Sequence, residues 1–104
     1  MARYNVDVSE PAESDLLDIV RYISARLNAP MTALGMIDAI EEALADLTDM
    51  PYKHSLVADE RLAALGYRKL HIKNYIAYFT IDEKEATVNV ERILYARRDW
   101  LRLL

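Results

Sequence analysis

Near the C-terminus, three segments alternate apolar and polar residues, with very short connections between them. "YRKLHI" (67–72) is followed, after Lys73 and Asn74, by "YIAYFTI" (75–81). After "DEKEA" (82–86) comes "TVNVERILY" (87–95). Alternation with period two marks strands. Connections of two and five residues can only reverse the chain, so these strands must pair antiparallel. Nothing else in the 104 residues limits the fold as strongly.

The first half has a different rhythm. "RYNVDV" (3–8) alternates, with Tyr4, Val6 and Val8 on one side and Arg3, Asn5 and Asp7 on the other. From Ser9 the period becomes helical. Ser9 is a suitable N-cap, and Pro11 falls in the first turn, where its missing N–H costs nothing. Glu10, Glu13 and Asp15 lie near the positive end of the helix dipole, and Arg21 and Arg26 toward its negative end. Ala12, Leu16, Ile19, Val20, Ile23 and Leu27 form an apolar stripe.

"NAP" (28–30) breaks this helix. A second runs from about Met31 to about Asp49, with Leu34, Ile37, Ile40, Leu44 and Leu47 as its stripe and Pro51 at its end. A short helical turn is expected within "ADERLAAL" (58–65), and "RRDWLRLL" (97–104) reads as a short helix or tail. The expected architecture is a single α+β domain over residues 1–104, ordered β-α-α-β-β-β. It has a small antiparallel sheet with the helical hairpin on one face. One hairpin covers one face, so the other needs a different cover.

Composition narrows the function. There is no cysteine, which removes disulfides, thiolate catalysis and thiolate-bound metals. Only His54 and His71 supply imidazole, and Gly35 and Gly66 are too few for a phosphate-cradling loop. No cofactor or metal is expected. No apolar run reaches the ~20 residues of a membrane span, and the N-terminus lacks a signal-peptide core, so a cytoplasmic protein with no membrane partner is expected. Net charge is −4 but unevenly spread. Residues 1–67 hold 5 basic and 12 acidic residues, a balance of −7, whereas residues 68–104 hold 8 and 5, a balance of +3.

The chemistry-bearing residues left are arginines and tyrosines. Strict alternation puts Glu91, Ile93 and Tyr95 on one face of the last strand and Arg92 and Leu94 on the other, with Arg97 on Tyr95's side. Arg68 opens the first strand of the three-strand unit, and Tyr78 lies in the second. Pairing could gather Arg68, Tyr78, Tyr95 and Arg97 at one end of the sheet, although register decides this. Guanidinium groups match phosphate, and a phenol stacks or passes a proton once its pKa is lowered. The plainer alternatives are that Arg68 bridges to a carboxylate, Arg92 pairs with Glu91 or a helix carboxylate, and Trp100 plugs the sheet edge.

Taken together, "GYRKLHIKNYIAYFTID" and "VNVERILYARRDW" resemble the RelE/ParE superfamily, the plasmid-stabilisation toxins of bacterial type II toxin–antitoxin modules. The resemblance implies a growth-inhibiting protein held by a cognate antitoxin, as a homodimer or a toxin–antitoxin hetero-oligomer. In RelE-like members, the implied activity is metal-independent mRNA cleavage on the ribosome. Carried over, Arg68 becomes a transition-state clamp, Tyr95 a proton-transfer group and Arg97 a catalytic phosphate holder. Arg92, Arg98, Lys69 and Lys73 become RNA phosphate contacts. In ParE-like members, the implied activity is inhibition of DNA gyrase by contact, without chemistry. A degenerate toxin retained for antitoxin binding is the third expectation. The acidic net charge departs from the basic character that RNA binding favours.

Overall fold

The computed structural model describes residues 3–97. Strand β1 (Asn5–Val8) leads into helix α1 (Glu10–Arg21), and helix α2 (Pro30–Ala45) returns antiparallel to it. A short helix α3 (Glu60–Ala64) precedes β2 (Arg68–Ile72), β3 (Tyr75–Asp82) and β4 (Thr87–Tyr95). Residues 98–104, and with them Arg98, Trp100 and the expected terminal helix or tail, lie outside the described residues.

The helix starts follow local chemistry. The Ser9 hydroxyl accepts the Ala12 N–H at 3.1 Å and caps α1, with Pro11 in the first turn. It also donates to the Glu91 carbonyl at 2.8 Å, tying the helix start to β4. At its C-terminal end, α1 widens into one π-helical turn, Tyr22–Arg26, closed by Leu27 N–H to the Tyr22 carbonyl at 3.1 Å. Asn28 then takes φ +50°, a left-handed conformation that asparagine tolerates, and the chain turns into α2.

Strand order is β1-β4-β3-β2. The β2–β3 and β3–β4 pairs are antiparallel, as the short connections require, but β1 pairs parallel to β4. The sheet is therefore mixed rather than purely antiparallel. Between them, the hairpin, the segment that follows it, β2 and β3 carry the chain far enough for β1 and β4 to run the same way.

One face of the sheet carries Leu70, Ile72, Ala77, Phe79, Val88, Val90 and Ile93 against Ala12, Ile19, Ile23, Met36 and Ile40 of the hairpin. Of the expected stripe, Ile40 and Leu47 are buried and Leu44 packs against the same core, while Leu34 is 55% exposed and Ala33 and Met36 turn inward in its place. Leu27 is also exposed, because the π turn rotates it out of phase with α1. The second face has its own small core, in which Val57 and Leu62 cover Ile76, Tyr78 and Leu94. The segment around α3 thus supplies the cover that the hairpin cannot.

Candidate functional site

Register separates the residues expected to act together. Arg68 pairs with Phe79, near the middle of β3, and Tyr95 pairs with Tyr75, at its start. They lie four residues apart along β3 and on strands flanking it. At ~3.3 Å per residue and ~4.8 Å per strand, their Cα atoms are roughly 16 Å apart. Tyr78 is buried on the opposite face, beneath α3. The expected gathering of Arg68, Tyr78, Tyr95 and Arg97 into one pocket is therefore not formed.

Arg68 is engaged locally. One guanidinium nitrogen donates to the His54 carbonyl at 2.7 Å and to the Tyr52 carbonyl at 3.4 Å, and the group lies 5.0 Å from the centre of the Tyr52 ring. It meets carbonyls and a ring rather than the carboxylate that the plainer reading expected. Tyr52 and Tyr4 in turn donate to Glu83 at 2.6 and 2.8 Å. These hydrogen bonds hold both phenols above their usual pKa, with Tyr52 pushed up to about 12, and hold the Glu83 carboxyl below its own. Burial raises Tyr67, Tyr75 and Tyr78, with Tyr78 also at about 12. These five displacements run opposite to what a general base at neutral pH requires.

Arg92 is spent inside the fold. Its Nε donates to Asp15 Oδ2 at 2.7 Å and its Nη2 to Oδ1 at 2.8 Å, a bidentate pair that raises the arginine's pKa. The Ile93 backbone N–H donates to the same carboxylate at 3.0 Å. Beyond Val90, β4 has no strand beside it on that side, and Asp15 of α1 supplies the missing acceptor. The helix-carboxylate alternative for Arg92 is the one realised. The role of Asp15 was legible in principle: it stands three residues after Ala12 and four before Ile19, on the inner face of α1.

Tyr95 is 45% exposed, and its ring meets Tyr75 edge-on at a centroid separation of 5.8 Å. Both border an open, largely apolar cleft of about 690 Å³ between the hairpin and the Tyr95 end of the sheet, with Tyr22, Leu27 and Met36 on the helical side. Arg97 is exposed just beyond Tyr95. Lys69 is half-buried on β2, and Lys73 is exposed in the β2–β3 turn at φ +54°. Among the described residues, no three His, Asp or Glu side chains are placed to hold a metal ion. No helix among them is long and apolar enough to cross a membrane.

Comparison with known proteins agrees with this architecture. The family described as the ParE toxin of the parDE type II toxin–antitoxin system matches residues 6–100. The fold resembles the chromosomal ParDE toxin–antitoxin system of P. aeruginosa, with a TM-score of 0.75 and 19% identity over 93% of this chain and 100% of that one. It also resembles the RelBE2 toxin–antitoxin complex of Mycobacterium tuberculosis, with a TM-score of 0.63 and 20% identity over 89% and 98%. A third likeness is to an arginine-to-alanine double mutant of E. coli toxin RelE in the free state, with a TM-score of 0.62 and 12% identity over 97% and 92%. A comparison with curated proteins gives no match. The chain is a RelE/ParE superfamily toxin by family match and fold. Within that superfamily, the chain belongs to the ParE toxin family of type II toxin–antitoxin systems.

Proposed function

We propose that this toxin arrests growth by contact with DNA gyrase rather than by cleaving RNA. The observation that carries the reading is the separation of Arg68 from Tyr95, with Arg92 committed to Asp15. Metal-free RNA cleavage needs a clamp and a proton-transfer group converging within hydrogen-bond reach of one phosphate. Roughly 16 Å between the two strand positions does not supply that. The match to the ParE family supports the same reading. Under it, Arg68 and Arg92 hold the fold, while Tyr95 and Arg97 belong to a contact surface.

A cognate antitoxin is the second partner in this reading. The chromosomal ParDE and RelBE2 structures that the fold resembles are toxin–antitoxin assemblies. The apolar cleft beside Tyr22, Tyr75 and Tyr95 offers a partner a place to bury large side chains.

The test is a direct comparison on purified components. Gyrase and supercoiled DNA are incubated with the toxin, and the products are examined for trapped, cleaved DNA. In parallel, translating ribosomes are given the toxin, and the message is mapped by primer extension. Trapped gyrase complexes with an intact message are expected. Cleaved message with unaffected gyrase would overturn the reading and restore the RNA alternative. Neither effect, with harmless expression, would leave a degenerate toxin.

A further inference from the structure

The outer edge of β2 carries a second concavity of different character. Residues 53–55 run alongside the strand, joined to it by Lys69 N–H to the Ser55 carbonyl at 3.1 Å and by the neighbouring Leu56–Arg68 bridge. Between the two runs lies a cleft of about 340 Å³ lined by Lys53, His54, Ser55, Lys69, Leu70 and His71. Arg68, through its bond to the His54 carbonyl, holds one wall in place.

The lining is cationic or hydrogen-bonding throughout, apart from Leu70. Lys53, Ser55, Lys69 and His71 line it together with His54 and Leu70, and no carboxylate does; the His54 ring packs edge-on against Phe79 of the hairpin core. Among the described residues, neither Lys53 nor Lys69 forms an ion pair; the ion pairs are Arg3–Asp49 and Arg92–Asp15. Lys69 is half-buried and Lys53 exposed. Two ammonium groups on one cleft without a carboxylate repel each other, and an incoming anion relieves that. The Nε2 atom of His54 is buried without a hydrogen-bond partner. Burial, and then the neighbouring Lys53, hold the His54 imidazole below its usual pKa; Asp46 acts the other way and stands outside the lining. Lys73 continues the basic edge into the turn.

We propose that this cleft is a phosphate-binding site that seats the backbone of duplex DNA. The ligand class follows from what the cleft lacks. It has charge and donors, but no tyrosine, phenylalanine or tryptophan lines it. Single-stranded nucleic acid is held chiefly by bases stacked on such rings, whereas a duplex presents its phosphates. The adjoining ring, Tyr52, is already occupied by Arg68 and Glu83. The proposal stands apart from the gyrase reading, because it concerns binding by the toxin alone.

The test uses the full-length toxin and a fluorescently labelled duplex oligonucleotide, with anisotropy measured from low to raised salt. Binding that weakens with salt is expected. The Lys53→Gln/Lys69→Gln double variant should bind at least about tenfold more weakly and reduce the log–log salt slope by about two, one per phosphate contact. Lys84→Gln, in the β3–β4 turn, should bind like the parent. Circular dichroism checks folding. If the double variant fails that check, Lys53→Gln alone, on an exposed loop position, should show about half the change in slope. No salt-dependent binding by the parent, or undiminished binding by a folded double variant, would overturn the proposal. Single-stranded RNA held as tightly through the same lysines would overturn the duplex assignment.

Discussion

Asp15 accepts three hydrogen bonds with one carboxylate, two from Arg92 and one from the Ile93 backbone. The pair is partly buried, with side-chain exposures of 8% for Asp15 and 18% for Arg92. Removing one partner strands the other, which costs more than the net value of the pair. Asp15→Ala is expected to lower unfolding stability by about 3 kcal/mol, measured by urea denaturation. Asp15→Asn should cost less, because its amide oxygen can still accept the Ile93 N–H. The Glu83 clasp gives a pH signature. Its carboxyl titrates lower in the folded protein than the ordinary 4.5, chiefly through the hydrogen bond from Tyr52. The stabilisation is therefore present above about 4.5 and is lost as pH falls through the lowered folded value. Glu83→Gln should flatten the dependence of Tm on pH below that point. The same clasp raises Tyr52 to about 12, so its contribution is fully present below the ordinary tyrosine pKa of 10.0 and is lost as pH rises from there through the folded value. Tyr52→Phe should remove the phenol titrating near 12 from the ultraviolet absorbance curve, whereas Tyr78 should remain.

Among the elements, β4 departs most from its sequence pattern. Tyr78 pairs with Arg92 and Phe79 with Val90, so Glu91 is an extra residue, a β-bulge. Strict alternation would put Val88, Val90, Arg92 and Leu94 on one face. With the bulge, Val88, Val90 and Ile93 share the hairpin core, and Leu94 enters the core on the other face. Glu91 itself meets Thr80 at 3.3 Å. Deleting Glu91 should therefore remove the bulge and let the pairing run Phe79–Val90, Tyr78–Arg92 without interruption, leaving Ile93 and Leu94 on the faces they already take. The expected result by circular dichroism is a cooperative thermal transition at a lower Tm, because the Ser9 bond to the Glu91 carbonyl is lost with it. Ser9→Ala is a milder probe of the same junction. It removes the α1 cap and the bond to the Glu91 carbonyl, and should cost about 1–2 kcal/mol.

Across the whole molecule, the sheet works as a spacer. It holds Arg68 and Tyr95 apart, opens an apolar cleft at the Tyr95 end and leaves a basic cleft at the outer edge of β2. A contact inhibitor tolerates the loss of a hydroxyl, and an acid–base catalyst does not. Tyr95→Phe is therefore expected to arrest growth as fully as the parent, measured by plating after induction without the antitoxin. Tyr95→Asp, which puts charge at the mouth of the cleft, should weaken that arrest while leaving Tm within a few degrees, because Tyr95 is exposed.

The sequence by itself determined the elements and their order. The bounds of β4 were legible to the residue from the turn at 82–86 and the apolar-rich run that follows it, although alternation within the strand breaks at Glu91. The cap at Ser9 and the turns at 73–74 and 82–86 are local chemistry, readable over four or five residues. The stripe of α2 holds at Ile40, Leu44 and Leu47, but in its first turns packing against the sheet brings Ala33 and Met36 inward in place of Leu34. The tertiary structure alone decided the parallel pairing of β1, the bulge at Glu91, the partner of Arg92 and the distance from Arg68 to Tyr95. Each depends on which residue stands opposite which across the sheet. Alternation fixes the face a side chain takes, but a shift in register moves its neighbours without changing the pattern.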